Sequence, residues 1–346
     1  MAASPPVILS TLPLSPEARR RVANAAPGYR LVCKPVGSYT ETDRALDDSV
    51  EILFTNYAPT TLEPAPRLKW VQLASVGINH LANSPLLASE RVLLTNARGT
   101  MSGPLAEFTL GAMLSLARNF PQAFRLQESR KWIHNNDRLE HFPAVELRGK
   151  TLGLLGYGSV AQEVARLARA FGMRIVALAT GSLPTRRTRE KRYVPPALRR
   201  HRLPKPDVLY SGLACLPELL RESDFLVNTL PLTPLTRHLM GSKELRMLRR
   251  EAFLVNISRG HIIDEGALRE VLEKGQIAGA LLDVFDEEPL GPDNPLYTTP
   301  GLVITPHISG VFAGMVDAMV ELFCENLELF FAGKPLYNPV GRQRGY

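Results

Sequence analysis

Short apolar runs separated by turn residues and amphipathic stretches set the pattern of this chain. Val7-Ile8-Leu9, Glu51-Ile52-Leu53-Phe54, Leu68 to Leu73 and Val92 to Thr95 read as strands. Helical stretches and turns alternate with them, so the first hundred residues read as a small α/β domain. A long apolar helix follows from Gly103 to Asn119, with Pro104 in its first turn and Pro121 closing it. It is apolar on more than one face, which calls for burial in a core, between domains or between subunits. From Leu147 the pattern becomes strand (Thr151 to Leu155), helix (Ser159 to Phe171) and strand (Met173 to Ala179), a βαβ unit. Gly181 to Gly212 is rich in Pro and Arg, lacks a clear period, and is long for a loop inside a domain, so it reads as functional or poorly ordered. Strands resume at Asp224 to Leu230, Phe253 to Ile257 and Leu302 to Ile304. Helices are expected near Ser242 to Leu248 and from Met315 to Ala332.

The length of 346 residues favours two domains, each large enough to bury a core. No apolar run is long enough to cross a bilayer, and the N-terminus lacks a basic region before an apolar core. Cys33, Cys215 and Cys324 are too few and too scattered for a disulfide framework or a zinc site. A cytoplasmic, reducing location and no metal are expected. The net charge of +7 is local: from Arg186 to Lys205, nine basic residues stand against Glu190 alone. No aromatic interleaving accompanies them, so neither a nucleic-acid nor a membrane partner is expected.

The chemistry sits at strand ends. Gly156-Tyr157-Gly158-Ser159-Val160-Ala161 follows a strand and opens a helix, where backbone amides can cradle a pyrophosphate. An acidic residue that would bond the ribose hydroxyls of NAD is missing at the end of the second strand, near Ala179-Thr180-Gly181. Arg186, Arg187 and Arg189 follow instead. This tilts the cofactor toward NADP(H), with Arg186 at the 2′-phosphate and NAD(H) as the alternative. Arg259 offers a planar cation that can grip a carboxylate with two bonds. Asp286, Glu287 and Glu288 are neighbouring carboxylates that spacing alone does not separate. Of seven histidines, His307 alone sits at the C-terminal end of an expected strand in the second half, where open α/β sheets bind ligands. A carboxylate beside an imidazole favours its protonated form, which can deliver a proton.

These motifs, in this order, resemble the D-isomer-specific 2-hydroxyacid dehydrogenase family over nearly the whole chain. They are the Gly156/Gly158 cradle, Leu230-Pro231-Leu232-Thr233, Asn256-Ile257-Ser258-Arg259-Gly260, Leu282-Asp283-Val284-Phe285 with Glu288-Pro289, and Thr305-Pro306-His307. The resemblance implies an α/β fold of two Rossmann-like domains, with a doubly wound parallel sheet in the nucleotide domain and a smaller flavodoxin-like substrate domain. The expected boundaries are 1–101 for the substrate domain, 102–310 for the NAD(P)-binding domain, and 311–346 for a helix and tail returning to the first. It implies Arg259, Glu288 and His307 for catalysis, and so selects Glu288 among the three acids. Asp283 is implied beside the nicotinamide carboxamide, and Leu230, Pro231 and Thr236 on the adenosine side. Ile257, Ser258 and Gly310 are expected around the same cofactor. Ser75, Val76 and Gly77 match the loop that holds the substrate carboxylate.

The reaction expected is reversible hydride transfer between NAD(P)H and a small 2-keto acid, of the glyoxylate or hydroxypyruvate kind, in a homodimer. His307 is the proton donor and Arg259 holds the carboxylate. The alternative from another class is an NAD(H)-sensing, corepressor-like binding protein of the same fold.

Overall fold

Alternation of side chains along short strands builds two separate parallel sheets. The computed structural model describes residues 5–81, 84–180, 191–201 and 204–341. These residues form two compact units. The first takes the described residues of Met1–Met101, Pro184–Arg200 and Phe312–Tyr346, and the second those of Ser102–Leu183 and His201–Val311.

The first unit holds five strands: β1 (Val7–Ser10), β2 (Arg30–Cys33), β3 (Val50–Thr55), β4 (Trp70–Leu73) and β5 (Leu93–Thr95). Their order is β2-β1-β3-β4-β5, all parallel, which is the flavodoxin-like winding. Successive residues feed opposite faces: Ile8, Ile52, Phe54 and Trp70 enter one core, and Val7, Leu9, Leu53 and Val71 the other. The helix Met315–Phe331 packs on the first of these cores. Phe323 stacks on Phe54 at 4.5 Å between ring centres and tilts against Trp70 at 5.3 Å. Asn326, fully buried, donates to Gln72 Oε1 at 3.0 Å and accepts the Tyr337 amide at 2.7 Å, so the chain's last helix is tied to β4 by polar bonds too.

The second unit holds seven strands: β6 (Thr151–Leu155), β7 (Arg174–Ala179), β8 (Val208–Ser211), β9 (Phe225–Asn228), β10 (Phe253–Asn256), β11 (Gly279–Leu282) and β12 (Leu302–Ile304). Their order is β12-β11-β10-β9-β6-β7-β8, all parallel. The winding reverses between β6 and β9, the position at which ligands of such sheets bind. Leu155, Val176, Leu226 and Leu254 feed one face, and Leu154, Ile175, Val227 and Val255 the other. The apolar helix Ser102–Ala117 packs against the helix Ser159–Ala170 over that second face.

Three expectations need correction. Pro121 does not simply end a helix: it stands in the first turn of a second one, Phe120–Glu128, where a proline without an N–H is tolerated. The edge strands β2 and β8 were not expected. Both are at most half-buried, so their apolar runs are short and mixed with polar residues. The stretch from 181 to 212 is not one irregular loop. Pro196–Arg199 is a helical turn, Val208–Ser211 is β8, and Tyr193 is only 2% exposed in the core of the first unit. The Tyr193 amide donates to Asn338 Oδ1 at 3.1 Å, and its hydroxyl donates to Glu321 at 3.2 Å. Arg186, Arg187 and Arg189 lie outside the described residues.

Candidate active site

The strands β9 and β10 carry the same four residues, Phe-Leu-Val-Asn, and pair in register with Asn228 beside Asn256. Both asparagines are buried at the C-terminal edge of the sheet, where amide groups must find partners inside the protein. They find each other and the two following loops. Asn228 Nδ2 donates to Asn256 Oδ1 at 3.0 Å, and Asn228 Oδ1 accepts the Leu230 amide at 3.1 Å. Asn256 Nδ2 donates to the Arg259 carbonyl at 3.0 Å, while Oδ1 also accepts the Ser258 amide at 3.2 Å. The Ser258 hydroxyl closes the circuit on the Leu230 carbonyl. Ile257, buried, anchors the loop in the core. The spacing of the motifs did not point to this amide pair, although the repeated Phe-Leu-Val-Asn is its visible trace in the sequence.

Arg259 follows in extended backbone, and Gly260 comes next. A Cβ on Gly260 would stand 2.0 Å from the Phe285 carbonyl carbon and 2.4 Å from the Asp286 nitrogen. Only glycine lets the Arg259 loop lie this close to the loop that carries Glu288. Burial lowers the proton affinity of the Arg259 guanidinium and the charge of Glu288 raises it, so the two groups sense each other. Arginine stays cationic through such shifts. Its Nη1 donates to the Ser258 carbonyl at 2.6 Å.

Asp283, at the end of β11, has no exposed surface. Its Oδ1 accepts the Thr305 hydroxyl at 2.6 Å and the Ile308 amide at 2.9 Å, and its Oδ2 accepts the Ser309 amide at 2.9 Å. These donors bracket His307, whose φ of 53° is left-handed. That conformation is uncommon for a residue with a side chain. Here it is held from both sides, and it aims the imidazole at Glu288: His307 Nδ1 lies 2.7 Å from Glu288 Oε2. The other oxygen of Glu288 accepts the Phe285 amide at 2.9 Å. Both side chains are partly exposed. With Nδ1 engaged by the carboxylate, Nε2 is the ring nitrogen left for a reacting group. Of the three neighbouring acids it is Glu288 that meets His307, while Asp286 faces His261 at 3.1 Å.

The cradle lies at the end of β6. Gly156 has φ of +92°, and a Cβ there would meet Thr229 Oγ1 at 3.0 Å and Leu230 Cδ2 at 3.2 Å. Gly158 opens the helix Ser159–Ala170, which no side chain caps, and a Cβ on Gly158 would meet nothing within 4 Å. An open approach to an uncapped helix start, from Gly158 through Ser159 and Val160, fits a dinucleotide pyrophosphate. The Tyr157 hydroxyl donates to the Pro204 carbonyl at 2.6 Å, and burial pushes its pKa up to about 12. Thr180 sits half-buried just past β7. The hydroxyl of Thr236 donates to the Pro231 carbonyl at 2.6 Å and accepts the Thr233 amide at 2.8 Å, so it staples the loop after Leu230. Gly310 follows Ser309 in the turn that Asp283 braces.

In the first unit, Ser75, Val76 and Gly77 form the loop after β4. The Ser75 hydroxyl donates to the Gly77 carbonyl at 2.9 Å, and Asn96 Nδ2 donates to the Val76 carbonyl at 3.0 Å. Two basic residues of the Arg186 to Lys205 stretch are engaged within this unit. The Lys191 ammonium lies 4.3 Å from the centre of the Tyr337 ring, and Arg199 pairs with Glu325 at 2.6 Å.

Residues 110–309 match the family described as D-isomer specific 2-hydroxyacid dehydrogenase, NAD binding domain. A glyoxylate reductase of Aeropyrum pernix is 37% identical over 82% of this chain and 79% of its own length. The chain belongs to the D-isomer specific 2-hydroxyacid dehydrogenase family. Its enzyme class is therefore that of an NAD(P)-dependent oxidoreductase of 2-hydroxy acids. A solved family member from Aeromonas salmonicida is similar at 29% identity, with a TM-score of 0.77 over 98% of this chain and 100% of that one. Another, from Xanthobacter autotrophicus and solved with NADPH, is 26% identical, with a TM-score of 0.76 over 99% of this chain and 100% of that one.

The environment of Asp283 yields a stability test. Asp283→Asn replaces one acceptor oxygen by an NH₂ group that must face an N–H or O–H donor. The expected loss is about 1–3 kcal/mol, read from urea unfolding. An unchanged unfolding midpoint would show that the three bonds do not hold this turn.

Proposed function

We propose that this chain reduces a small 2-keto acid of the glyoxylate and hydroxypyruvate kind to the 2-hydroxy acid, the D isomer where the product is chiral, with NADPH preferred and His307 as proton donor. The observation that carries the reading is the 2.7 Å contact of His307 Nδ1 with Glu288, beside Arg259. Similarity to a glyoxylate reductase supports the substrate class.

A nicotinamide cofactor, held by the Gly156–Val160 turn, Thr180, the loop from Leu230 to Thr236, Ile257, Ser258, Asp283 and Gly310, supplies the hydride when bound. Arg259 grips the substrate carboxylate and polarises the keto group. Ser75 and the amides of Val76 and Gly77 are assigned to substrate binding by the family resemblance. His307 gives its Nε2 proton to the oxygen that gains charge, while Glu288 orients the ring and balances its cation. In the reverse direction the neutral ring takes that proton back. The preference for NADPH rests on the absent acid past β7 and on Arg186, with support from the NADPH-bound family member.

A homodimer is the proposed assembly. Phe120, Phe124, Trp132 and Leu139 are 46%, 57%, 78% and 85% exposed within twenty residues of the second unit, a concentration of apolar surface that a second copy would cover. No described helix is long and apolar enough to cross a membrane. The free thiols of Cys33, Cys215 and Cys324 suit a reducing cytoplasm.

The function is tested with a panel of 2-keto acids, each assayed with NADPH and with NADH. Turnover of glyoxylate or hydroxypyruvate with higher kcat/KM for NADPH is expected, and Arg186→Ala narrows that gap. Tight cofactor binding without turnover of any keto acid would favour the sensing alternative, and an NADH preference would overturn the cofactor assignment. Sedimentation equilibrium is expected to give twice the 38.2 kDa chain mass. A monomer at micromolar concentration would refute the dimer.

A further inference from the structure

We infer that His238, His261 and Asp286 form a binding site for a divalent transition cation, Zn²⁺ foremost, separate from the proton-transfer pair. One ligand atom from each of the three lies within 4.8 Å of those of the other two. Among the described residues no other group of three His, Cys, Asp or Glu side chains converges in this way.

Three strand-end loops of the second unit deliver these residues, after β9, β10 and β11, and backbone bonds fix their approach. The His238 amide donates to the His261 carbonyl at 2.7 Å, and the Met240 amide to the Ile262 carbonyl at 3.0 Å. The missing side chain of Gly260 lets Asp286 close on the turn that carries His261. Glu265 Oε1 accepts the Asp286 amide at 2.6 Å, which sets the direction of that loop.

Two atoms at the centre lack a satisfactory partner. His261 Nδ1 and Asp286 Oδ1 are each shielded from solvent, and neither makes a hydrogen bond. They stand 3.1 Å apart, within range of an ion pair but misaligned for a hydrogen bond. Buried polar atoms in folded proteins are normally paired. A metal ion that both atoms coordinate removes the mismatch. Zn–N and Zn–O bonds of about 2.0–2.2 Å place neighbouring ligand atoms roughly 3.3 Å apart, close to what His261 and Asp286 already show. His238 completes the set by turning. Its ring is exposed, near-parallel to that of His261, and 6.2 Å from it centre to centre. Glu265, half-buried and bonded to the Asp286 amide at 2.6 Å, places a second acidic side chain beside Asp286.

Two imidazoles and one carboxylate suit Zn²⁺ and its neighbours Co²⁺, Ni²⁺ and Cu²⁺, and not Mg²⁺ or Ca²⁺, which demand oxygen ligands. Bound there, the ion joins three loops, including the one that presents Glu288. This departs from the expectation of no metal. The ligands are 23 and 25 residues apart in the chain, so no short spacing announces them.

The test uses the untagged full chain, treated with chelator and titrated with Zn²⁺ against a chromogenic chelator, and in parallel with Co²⁺ followed by its d–d absorption. One tight site per chain is expected, and the Tm should rise with Zn²⁺ concentration by mass action. His238→Gln/His261→Gln should weaken binding by about 100-fold or more, since even a lost outer-shell partner costs 10- to 100-fold. Asp286→Asn is the second variant, should the first fail to fold. His307→Asn should keep the site. Absence of stoichiometric binding, or binding that survives the ligand variants, would overturn the proposal. So would binding that disappears with His307→Asn, because the ion would then belong to the catalytic histidine.

Discussion

A carboxylate with no exposed surface holds the site together. Asp283 collects a hydroxyl and two amides from the turn after β12, and that turn places His307 in left-handed backbone. A buried anion is costly unless its lone pairs are filled. Here they are filled by the segment that must be positioned, so burying the charge and orienting the imidazole are one constraint. The Asn228–Asn256 pair does the same for the loops of Leu230 and Arg259. Parallel strands ending side by side make this economy available. Each strand's last polar side chain can reach the loop that leaves its neighbour.

From these anchors the chemistry follows. Gly260 allows the Arg259 loop to sit against the backbone of Phe285 and Asp286, and Glu288 lies two residues beyond Asp286. Arg259 is mostly buried, while His307 and Glu288 are partly exposed. A shielded cation suits a substrate carboxylate, since its field is little screened. An accessible imidazole can exchange its proton with water between turnovers.

Much of this was legible in the sequence because the strands of the second unit are buried on both faces and read as continuous apolar runs. The apolar run Thr151 to Leu155 is a strand over its whole length, and the run Phe253 to Ile257 is one up to Asn256. The edge strands β2 and β8 escaped because one exposed side removes the apolar signal. Pro121 misled because the same residue ends one helix and starts another. Within the site, His307 and Arg259 could be named from strand-end position. Glu288 could not be separated from Asp286 and Glu287 by spacing, because the choice lies in loop geometry. Tyr193 was hidden in a basic, Pro-rich stretch, yet it fills a core. The pairing of His238 with His261 is a long-range contact that no local pattern encodes.

The central claim is that His307 and Glu288 act as one proton-transfer unit. It is tested most directly by a double-mutant cycle on kcat/KM for keto-acid reduction, using His307→Asn, Glu288→Gln and the two combined. Groups that act as a unit lose activity non-additively. The account predicts a fall of about 10²- to 10⁴-fold for His307→Asn, no further fall in the double variant, and unchanged cofactor affinity throughout. Losses that simply add, or a His307→Asn enzyme with full activity, would contradict it.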